Sequence, residues 1–443
     1  MSHTTSYLGT PMQSIPPEIL SRIFVECLSG ICFPPPAKSE APLLLGCVCS
    51  HWRRVALWTG VSLGERSTRD GLEKDAISAQ QWRIRAGPTS GLSFNLNYHG
   101  CGDDDHWTNL MNAIIPLHQV WRRIQCLLPL PLAKQILSVI PNAPMLEYLN
   151  IANRNIYDQE DIDLRTIPRL QKLVRKMDQP VVQFGASGSQ SLREIIIHKV
   201  CSTLNLDVCW FLVTQCPNLE VFQAYCYSCD PFTFHHAEVH RHPRLAYLHL
   251  EGLYGNPGPF FDKFEAQGLK FMSLKYYGPL IEREHGWRHL TSFLNRSKCK
   301  LTHLCLYIPR MSQSDIINCF HATPGLKSLC VDKYPLMTNA TIATLKSGED
   351  NLFPELESLC FHDCLRCSPK ALEDMIVSRC AINTRKLRKV ILYGCEFARY
   401  EQLSDAPMIV QCIEGGLQLD NEPSDSYKRQ YRTEDPLSVG WTE

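Results

Sequence analysis

The 443-residue chain has no excess of either charge, because 45 Lys and Arg residues balance 45 Asp and Glu residues. This balance removes the usual electrostatic argument for binding nucleic acid or an acidic membrane, and we expect neither partner. No apolar run approaches the roughly 18 residues of a spanning helix; APLLLGCVC at 41–49 is among the longest. The first ten residues lack the basic and apolar regions of a signal peptide, so we expect a protein of the cytoplasm, the nucleus or both.

The motifs of several common enzyme classes are also missing. The sequence has no G-x-S-x-G, no P-loop, no G-x-G-x-x-G and no recognisable cysteine-protease signature. Acidic residues and histidines do cluster in YHGCGDDDHW at 98–107, which is typical of a solvated loop, with a metal or catalytic role as the alternative. We therefore expect no enzymatic activity and no cofactor.

Cysteine, in contrast, is abundant. The 21 cysteines are an odd number at irregular spacings, which favours reduced thiols in small core sites over a disulfide framework. Cys226 and Cys229 precede a histidine-rich stretch at 235–242, and a zinc site there remains the alternative to packed thiols and loop histidines. Cys364 and Cys367 coincide with a repeat described below, so we interpret them as structural.

The N-terminal stretch IPPEILSRIFVECL, residues 15–28, has the pattern of an amphipathic helix. Proline is well tolerated in the first helical turn, where Glu18 also suits the positive end of the helix dipole. The apolar residues fall into two columns spaced by four, which together form one broad face. The columns are Ile19, Ile23 and Cys27, and Leu20, Phe24 and Leu28.

A second apolar segment follows a break that contains Pro34, Pro35 and Pro36. Residues 43–63, LLLGCVCSHWRRVALWTGVSL, repeat apolar side chains at helical spacing, including Val48, Cys49 and Trp52, as far as a glycine at 60. Residues 12–62 therefore predict two or three short helices joined by a proline-rich loop, and residues 63–90 predict a linking helical segment. About 50 residues give a marginal core without a partner.

These N-terminal residues resemble an F-box, in the form that is abundant in basidiomycete fungi. PPEIL and IF in the first half and VC, WR and AL in the second carry the likeness. The sequence departs from the family in having Ile15 where a leucine is usual, and in a longer gap between the halves.

The resemblance implies that the module binds the Skp adaptor of a cullin–RING ubiquitin ligase. Its apolar face would be shared between its own core and a groove on the adaptor. The alternative is a helical cap whose apolar residues form only its own core. The adaptor-binding residues that the resemblance implies are Ile15, Pro16, Pro17, Glu18, Ile19, Leu20, Ile23, Phe24, Leu28, Val48, Cys49 and Trp52.

The rest of the chain carries a repeat with the pattern L-x-x-L-x-L. Successive copies begin 22 to 32 residues apart, which is the period and pattern of leucine-rich repeats. Weaker copies stand at 92–97 and 121–126. The leading leucines are Leu146, Leu170, Leu192, Leu219, Leu245, Leu269, Leu301, Leu326, Leu356 and Leu387.

Helix-like stretches separate the predicted strands, most clearly at 205–216, 312–322 and 368–380. In the last of these, Ser368 is placed as the N-cap and Pro369 in the first turn. Strand, turn and helix repeated about ten to twelve times predict an α/β solenoid over residues 91–419, with parallel strands on the concave side and helices on the convex side. We expect a polar tail at 420–443.

The fold class expected for the whole chain is thus α plus α/β, with a small helical F-box module followed by a leucine-rich-repeat solenoid. This pairing suggests a substrate-receptor subunit, which binds the adaptor and a cullin through the F-box and a target protein through the repeats. The alternative function is a leucine-rich-repeat scaffold or binding protein with an F-box-like cap. The sequence does not identify the target.

Overall fold

The computed structural model of the protein divides into two compact units, residues 1–202 and 203–443. The residues it describes are 15–16, 19–20, 23–24, 27, 43–52, 61–63, 69–86, 91–98, 104–153, 162–176, 182–198, 204–226, 230, 232–234, 238–254, 256–277, 287–309, 311–333, 337–347, 352–381, 386–395 and 401–422.

The first unit contains a parallel sheet. Its described strands pair in the order β1, β2, β3, β4, β6, β8, and two shorter strands, β5 and β7, pair separately. The strands are β1 (Val61–Leu63), β2 (Leu92–Asn97), β3 (Trp121–Leu128), β4 (Tyr148–Asn153), β5 (Ile162–Asp163), β6 (Lys172–Lys176), β7 (Val182–Gln183) and β8 (Glu194–Ile197). The helical segments described here are Leu43–Gly46, Arg69–Ala86, Asp104–Ile114, Ile115–Val120, Leu130–Val139 and Ile140–Asn142.

In the second unit, strands β9, β11, β13, β14, β15, β16, β17 and β18 pair in parallel in that order. Its strands are β9 (Val221–Tyr225), β10 (His240–Arg241), β11 (Tyr247–Leu253), β12 (Phe264–Glu265), β13 (Phe271–Tyr276), β14 (His303–Tyr307), β15 (Ser328–Asp332), β16 (Ser358–His362), β17 (Lys389–Tyr393) and β18 (Gln418–Glu422). Strands β10 and β12 pair with each other. The helical segments are Leu206–Gln215, Gly258–Asp262, Arg288–Ser297, Gln313–His321, Asn339–Thr344, Pro369–Cys380, Glu401–Asp405 and Pro407–Glu414.

The α/β class and the parallel sheets are confirmed, and the repeat pattern explains where the strands lie. Each of the ten leading leucines from Leu146 to Leu387 is buried, and a strand begins two residues after it; these strands are β4, β6, β8, β9, β11, β13, β14, β15, β16 and β17. The fourth residue of each copy is buried as well, as Leu149 and Leu359 illustrate. Parallel pairing places equivalent residues side by side, such as Leu304 beside Leu329. A one-residue slip would turn every buried side chain outward, so the burial pattern sets the register.

The three predicted helices of the second unit are confirmed, and polar N-caps mark their starts. Ser368 accepts a hydrogen bond from the N–H of Ala371 before Pro369–Cys380. Asn205 and Ser312 do the same at Leu206–Gln215 and Gln313–His321. Each side chain satisfies a donor that the first helical turn leaves unpaired.

Three features differ from the expectations or cross the predicted limits. Strand β1 crosses the predicted boundary between the helical module, 12–62, and the linking segment, 63–90. The linking segment contains the helix Arg69–Ala86, as expected. Strand β18 spans the predicted limit between 419 and 420, because the last polar residues pair in parallel with β17. The stretch 98–107, expected to be a loop, becomes helical at Asp104, where Trp107 is buried and contacts Tyr98.

Within the described ranges, none of the helices combines the length and the apolar character needed to cross a bilayer.

Candidate functional site

Two surfaces of the described chain carry features suited to binding, one in each unit. The first lies in the N-terminal segment, where residues 19–20 and 23–24 are helical. The N–H of Leu20 donates to the carbonyl of Pro16 at 3.0 Å, which closes a helical turn directly after the prolines. The N–H of Cys27 donates in the same way to Ile23 at 3.1 Å.

The two apolar columns of this helix have different environments. Leu20 and Phe24 are 1% and 0% exposed and form a small core cluster. The half-buried side chains of Ile15, Leu45 and Trp52 pack against that cluster. The rings of Phe24 and Trp52 meet edge to face with centroids 5.1 Å apart, an arrangement that adds to the stabilisation from burial. This column therefore holds the N-terminal helix against the second apolar segment.

The other column is open to solvent. Ile19 and Ile23 are 49% and 44% exposed, and Cys27 beside them is exposed too. In the second apolar segment, Leu44 and Val48 are 51% and 61% exposed. We call Ile19, Ile23, Leu44 and Val48 the apolar surface residues. Ile19 and Ile23 lie one helical turn apart and therefore share one side of the helix, and contiguous exposed apolar side chains are typical of surfaces that bind a partner.

The structure thus divides the residues predicted to bind the adaptor. Ile19, Ile23 and Val48 are exposed; Pro16 is exposed as well. Leu20 and Phe24 are core residues, whereas Ile15, Cys49 and Trp52 are half-buried. The Sγ of Cys49 accepts a hydrogen bond from the N–H of Trp52. Pro17, Glu18 and Leu28 lie outside the described residues. Leu44 was missed, although its position four residues before Val48 in the apolar segment 43–63 is a signal for it.

The second surface is the side of the second unit's sheet opposite to the buried leucines, which we call the polar face. It holds the residues that alternate with the buried positions along each strand. Glu251 on β11 and Lys275 on β13 are neighbours in register, with 3.6 Å between carboxylate and ammonium. The Nε2 of His249 lies 3.3 Å from Glu251, and the hydroxyl of Tyr277 donates to Glu251 at 3.2 Å. Glu251 is therefore the centre of a four-residue network.

Burial and charge shift the pKa values in this network. Burial raises the pKa of Glu251, but the hydrogen bond from His249 and the charge of Lys275 outweigh it and lower that pKa from 4.5 to about 2. Burial lowers the pKa of Lys275, and Glu251 more than offsets this, so Lys275 stays charged. Burial and the Glu251 carboxylate raise the pKa of Tyr277. The network is a fixed ion pair with a neutral phenol beside it.

A backbone irregularity shapes the edge of this network. Strand β11 shifts register between Glu251 and Leu253, and the residue between them, Gly252, has a φ of +77°. A Cβ on Gly252 would lie 2.7 Å from the carbonyl oxygen of Cys226, so this position requires glycine. The bulge allows the N–H of Cys226 to bond the carbonyl of Glu251 at 2.6 Å.

Aromatic side chains extend the polar face on both sides of the network. The rings of Tyr247 and Phe271 stack with centroids 4.2 Å apart, and those of Tyr277 and Tyr307 lie 4.9 Å apart. Further along, the Nδ1 of His362 pairs closely with the carboxylate of Asp332. Aromatic side chains are enriched in surfaces that bind proteins.

The possible zinc ligands do not converge where the structure describes them. Cys226 is buried with its sulfur 3.4 Å from that of Cys209. His242 is buried, and its Nε2 lies 2.9 Å from the carbonyl oxygen of Cys216. Cys229, His235 and His236 are outside the described residues. Across the described ranges, no group of three or more His, Cys, Asp or Glu side chains is placed to hold a metal ion.

Cys364 and Cys367, the second pair of cysteines singled out in the sequence, are both buried, and Cys364 contacts backbone, as does the buried Cys395 of the next repeat. The Sγ of Cys364 donates to the carbonyl of Val331 at 3.3 Å, and the Sγ of Cys395 donates to the carbonyl of Phe361 at 3.4 Å. Each of these two thiols therefore satisfies a carbonyl group on the neighbouring strand that precedes it in the sheet, which agrees with a structural role.

Comparison with known proteins yields no identification. No family model matches this chain, and no curated protein matches it.

Proposed function

We propose that this chain is the substrate-receptor subunit of a Skp–cullin–F-box ubiquitin ligase. In this proposal, residues 12–62 are an F-box that binds the adaptor and, through it, a cullin. Residues 91–419 form a leucine-rich-repeat solenoid that binds a target protein, in the cytoplasm, the nucleus or both. The chain supplies no catalytic residue; it raises the effective concentration of the target's lysines near a ubiquitin-charged enzyme.

The observation that carries the proposal is the separation of the two columns on the N-terminal helix. Leu20 and Phe24 already have partners within the chain, so they account for the folding of the module. The exposure of Ile19 and Ile23 has no such explanation. Covering the open half of each isoleucine would contribute roughly 1 kcal/mol. An adaptor that covers this column together with Leu44 and Val48 would gain a similar contribution to the binding free energy from each of these side chains.

The polar face supports the second half of the proposal. It offers stacked aromatic side chains beside the fixed Glu251–Lys275 pair, a mixture that suits recognition of a folded or extended protein segment. The network around Glu251 is held by hydrogen bonds before any partner arrives. Such preorganisation lowers the entropic cost of binding.

Co-expression with a fungal Skp adaptor tests this function. We expect the wild-type chain and the adaptor to elute as one stoichiometric complex from a sizing column. The double variant Ile19→Asp, Ile23→Asp is expected to lose the complex while the repeat units stay folded, because it places charges where the partner must bury apolar groups. Ile77→Asp is the matched control, since Ile77 is 55% exposed on the helix Arg69–Ala86.

Absence of a complex with soluble, folded wild-type protein would overturn the ligase function. It would leave the other interpretation of the sequence, a leucine-rich-repeat scaffold or binding protein with an F-box-like cap. Equal loss of binding in Ile77→Asp and in the double variant would contradict the assignment of the surface.

A further inference from the structure

Three cysteines form a row across the polar face of the second unit. They occupy the same position of three successive strands, β14, β15 and β16, so that Cys305 is the register partner of Cys330, and Cys330 is the register partner of Cys360. Side chains of register partners in a parallel sheet lie on the same face. All three are free thiols.

The spacing of this row suits a covalent bond between neighbours. Adjacent strands lie about 4.8 Å apart, which is within the roughly 4.4–6.8 Å that separates the Cα atoms of disulfide-bonded cysteines. Register pairing sets Cys305 directly beside Cys330 on the adjacent strand, and Cys330 packs against the cluster that contains Cys360. At this Cα separation a disulfide can form without a change in the spacing of the strands.

The two ends of the row differ in their surroundings. Cys305 and Cys330 are half-buried, whereas Cys360 is 8% exposed in a cluster with Ile391 and Tyr393. The charge of Lys275 acts on both Cys305 and Cys330 and favours the thiolate of Cys305. Solvent access and a nearby cation therefore select the first pair over the second.

We propose that Cys305 and Cys330 form a reversible disulfide when the protein meets a low-molecular-weight disulfide. The Cys305 thiol loses its proton and attacks one sulfur of the reagent, which releases one reagent thiol and leaves a mixed disulfide on Cys305. The Cys330 thiol then attacks the Cys305 sulfur and releases the second reagent thiol. Two protein thiols are oxidised, and one external disulfide is reduced to two thiols.

The environment of the thiols predicts a slow reaction at neutral pH. The hydrogen bond with Cys330 and burial raise the pKa of the Cys305 thiol. The hydrogen bond from Cys305 lowers the pKa of Cys330, but the contact with Cys360 and burial outweigh this effect. The pKa of the Cys330 thiol is therefore raised as well. Because the thiolate is the attacking species, the rate of oxidation rises with pH.

The experiment uses the full chain, fully reduced and then incubated with oxidised glutathione. Remaining thiols are blocked with N-ethylmaleimide, and the protein is digested with trypsin without reduction. Cleavage after Lys300, Arg310, Lys327 and Lys333 isolates Cys305 in the peptide 301–310 and Cys330 in the peptide 328–333. We expect these two peptides to appear cross-linked, lighter by two hydrogens than their sum, and to separate after treatment with dithiothreitol.

Two variants and one internal comparison make the result specific. Cys330→Ser is expected to abolish the cross-linked peptide, and Cys360→Ser to leave it in place, with circular dichroism confirming that both variants fold. Cys209 and Cys226 serve as the comparison, because their sulfurs are 3.4 Å apart but both residues are buried. We expect this pair to stay reduced under the same conditions.

Three results would overturn the proposal. The first is recovery of both peptides from wild-type protein only as alkylated or glutathionylated monomers. The second is a link between 328–333 and the Cys360 peptide in place of the link to 301–310. The third is oxidation of Cys209 and Cys226 to the same extent, which would show that access from the polar face does not select the pair. The proposal concerns the second unit alone and does not depend on adaptor binding.

Discussion

Replacing Glu251 with glutamine removes the charge at the centre of the polar-face network and leaves its shape nearly unchanged. In the folded chain Lys275 lies 3.6 Å from this carboxylate, and Tyr277 donates to it. The pKa of Glu251 is lowered from 4.5 to about 2. At about 1.4 kcal/mol for each tenfold change in the proton equilibrium, this difference corresponds to roughly 3 kcal/mol. We therefore expect Glu251→Gln to reduce the free energy of unfolding by up to about that amount at pH 7.

The same linkage sets the pH dependence of the effect. The pKa of Glu251 is lower in the folded chain than in the unfolded chain, so its stabilisation is complete above about pH 4.5 and is lost as the pH falls towards 2. The difference between wild type and Glu251→Gln is expected to shrink to roughly 1.4 kcal/mol at pH 3. Urea unfolding followed by tryptophan fluorescence at both pH values measures it.

Glu357→Gln is the matched control, because the Lys327–Glu357 pair spans the same sheet at 3.5 Å but its side chains are 49% and 38% exposed. Exposed pairs of this kind contribute less than about 1 kcal/mol. If Glu251→Gln costs no more than Glu357→Gln, or costs the same at pH 7 and pH 3, the network does not stabilise the fold as described.

Three further variants test local features. Phe24→Ala removes a core ring that packs against Trp52, so we expect the free energy of unfolding of the N-terminal module to fall by about 3–5 kcal/mol. Tryptophan emission should shift to the red and the module should be proteolysed faster. Ile23→Ala should reproduce none of these effects. Ser368→Ala removes the N-cap of Pro369–Cys380 and should cost about 1 kcal/mol in urea unfolding; no measurable cost would contradict the cap. Burial lowers the pKa of His242, so the contribution of this residue to the free energy of unfolding is complete above about pH 6.5 and decreases as the pH falls below that value. His242→Asn should reduce this decrease in the free energy of unfolding, whereas a variant of the exposed His321 should not.

The repeat register could be predicted from the sequence because the physical signal is local and repeated. A leading leucine and two further apolar residues at fixed spacing define the buried side of a strand, and the copies from Leu146 to Leu387 all place a strand there. The helix N-cap at Ser368 was predictable for a similar reason: serine, proline and the apolar run lie within a few residues. Strand β18 could not be predicted in this way, since Asp420, Asn421 and Glu422 show no apolar alternation. They form a strand through their parallel pairing with β17.

The candidate site depends on contacts that no local pattern contains. The sequence predicts one broad apolar face on the N-terminal helix, and only the packing of Trp52 and Leu45 shows which column faces inward. The network on the polar face joins Glu251 to Lys275 across two strands, so it requires the register as well as the residue types. The bulge at Gly252, which places the end of β11, has no signal beyond the glycine itself.

Calorimetric titration of a Skp adaptor into purified wild type, Ile23→Asp and Ile77→Asp measures how far adaptor affinity depends on the exposed column of the N-terminal helix. Burying an unpaired carboxylate in an apolar interface costs several kcal/mol, and each 1.4 kcal/mol is about tenfold in Kd. We expect Ile23→Asp to bind at least about 100-fold more weakly than wild type, and Ile77→Asp to bind as wild type does. Wild-type protein that gives no heat of binding, or an Ile23→Asp variant with unchanged Kd, would contradict this expectation.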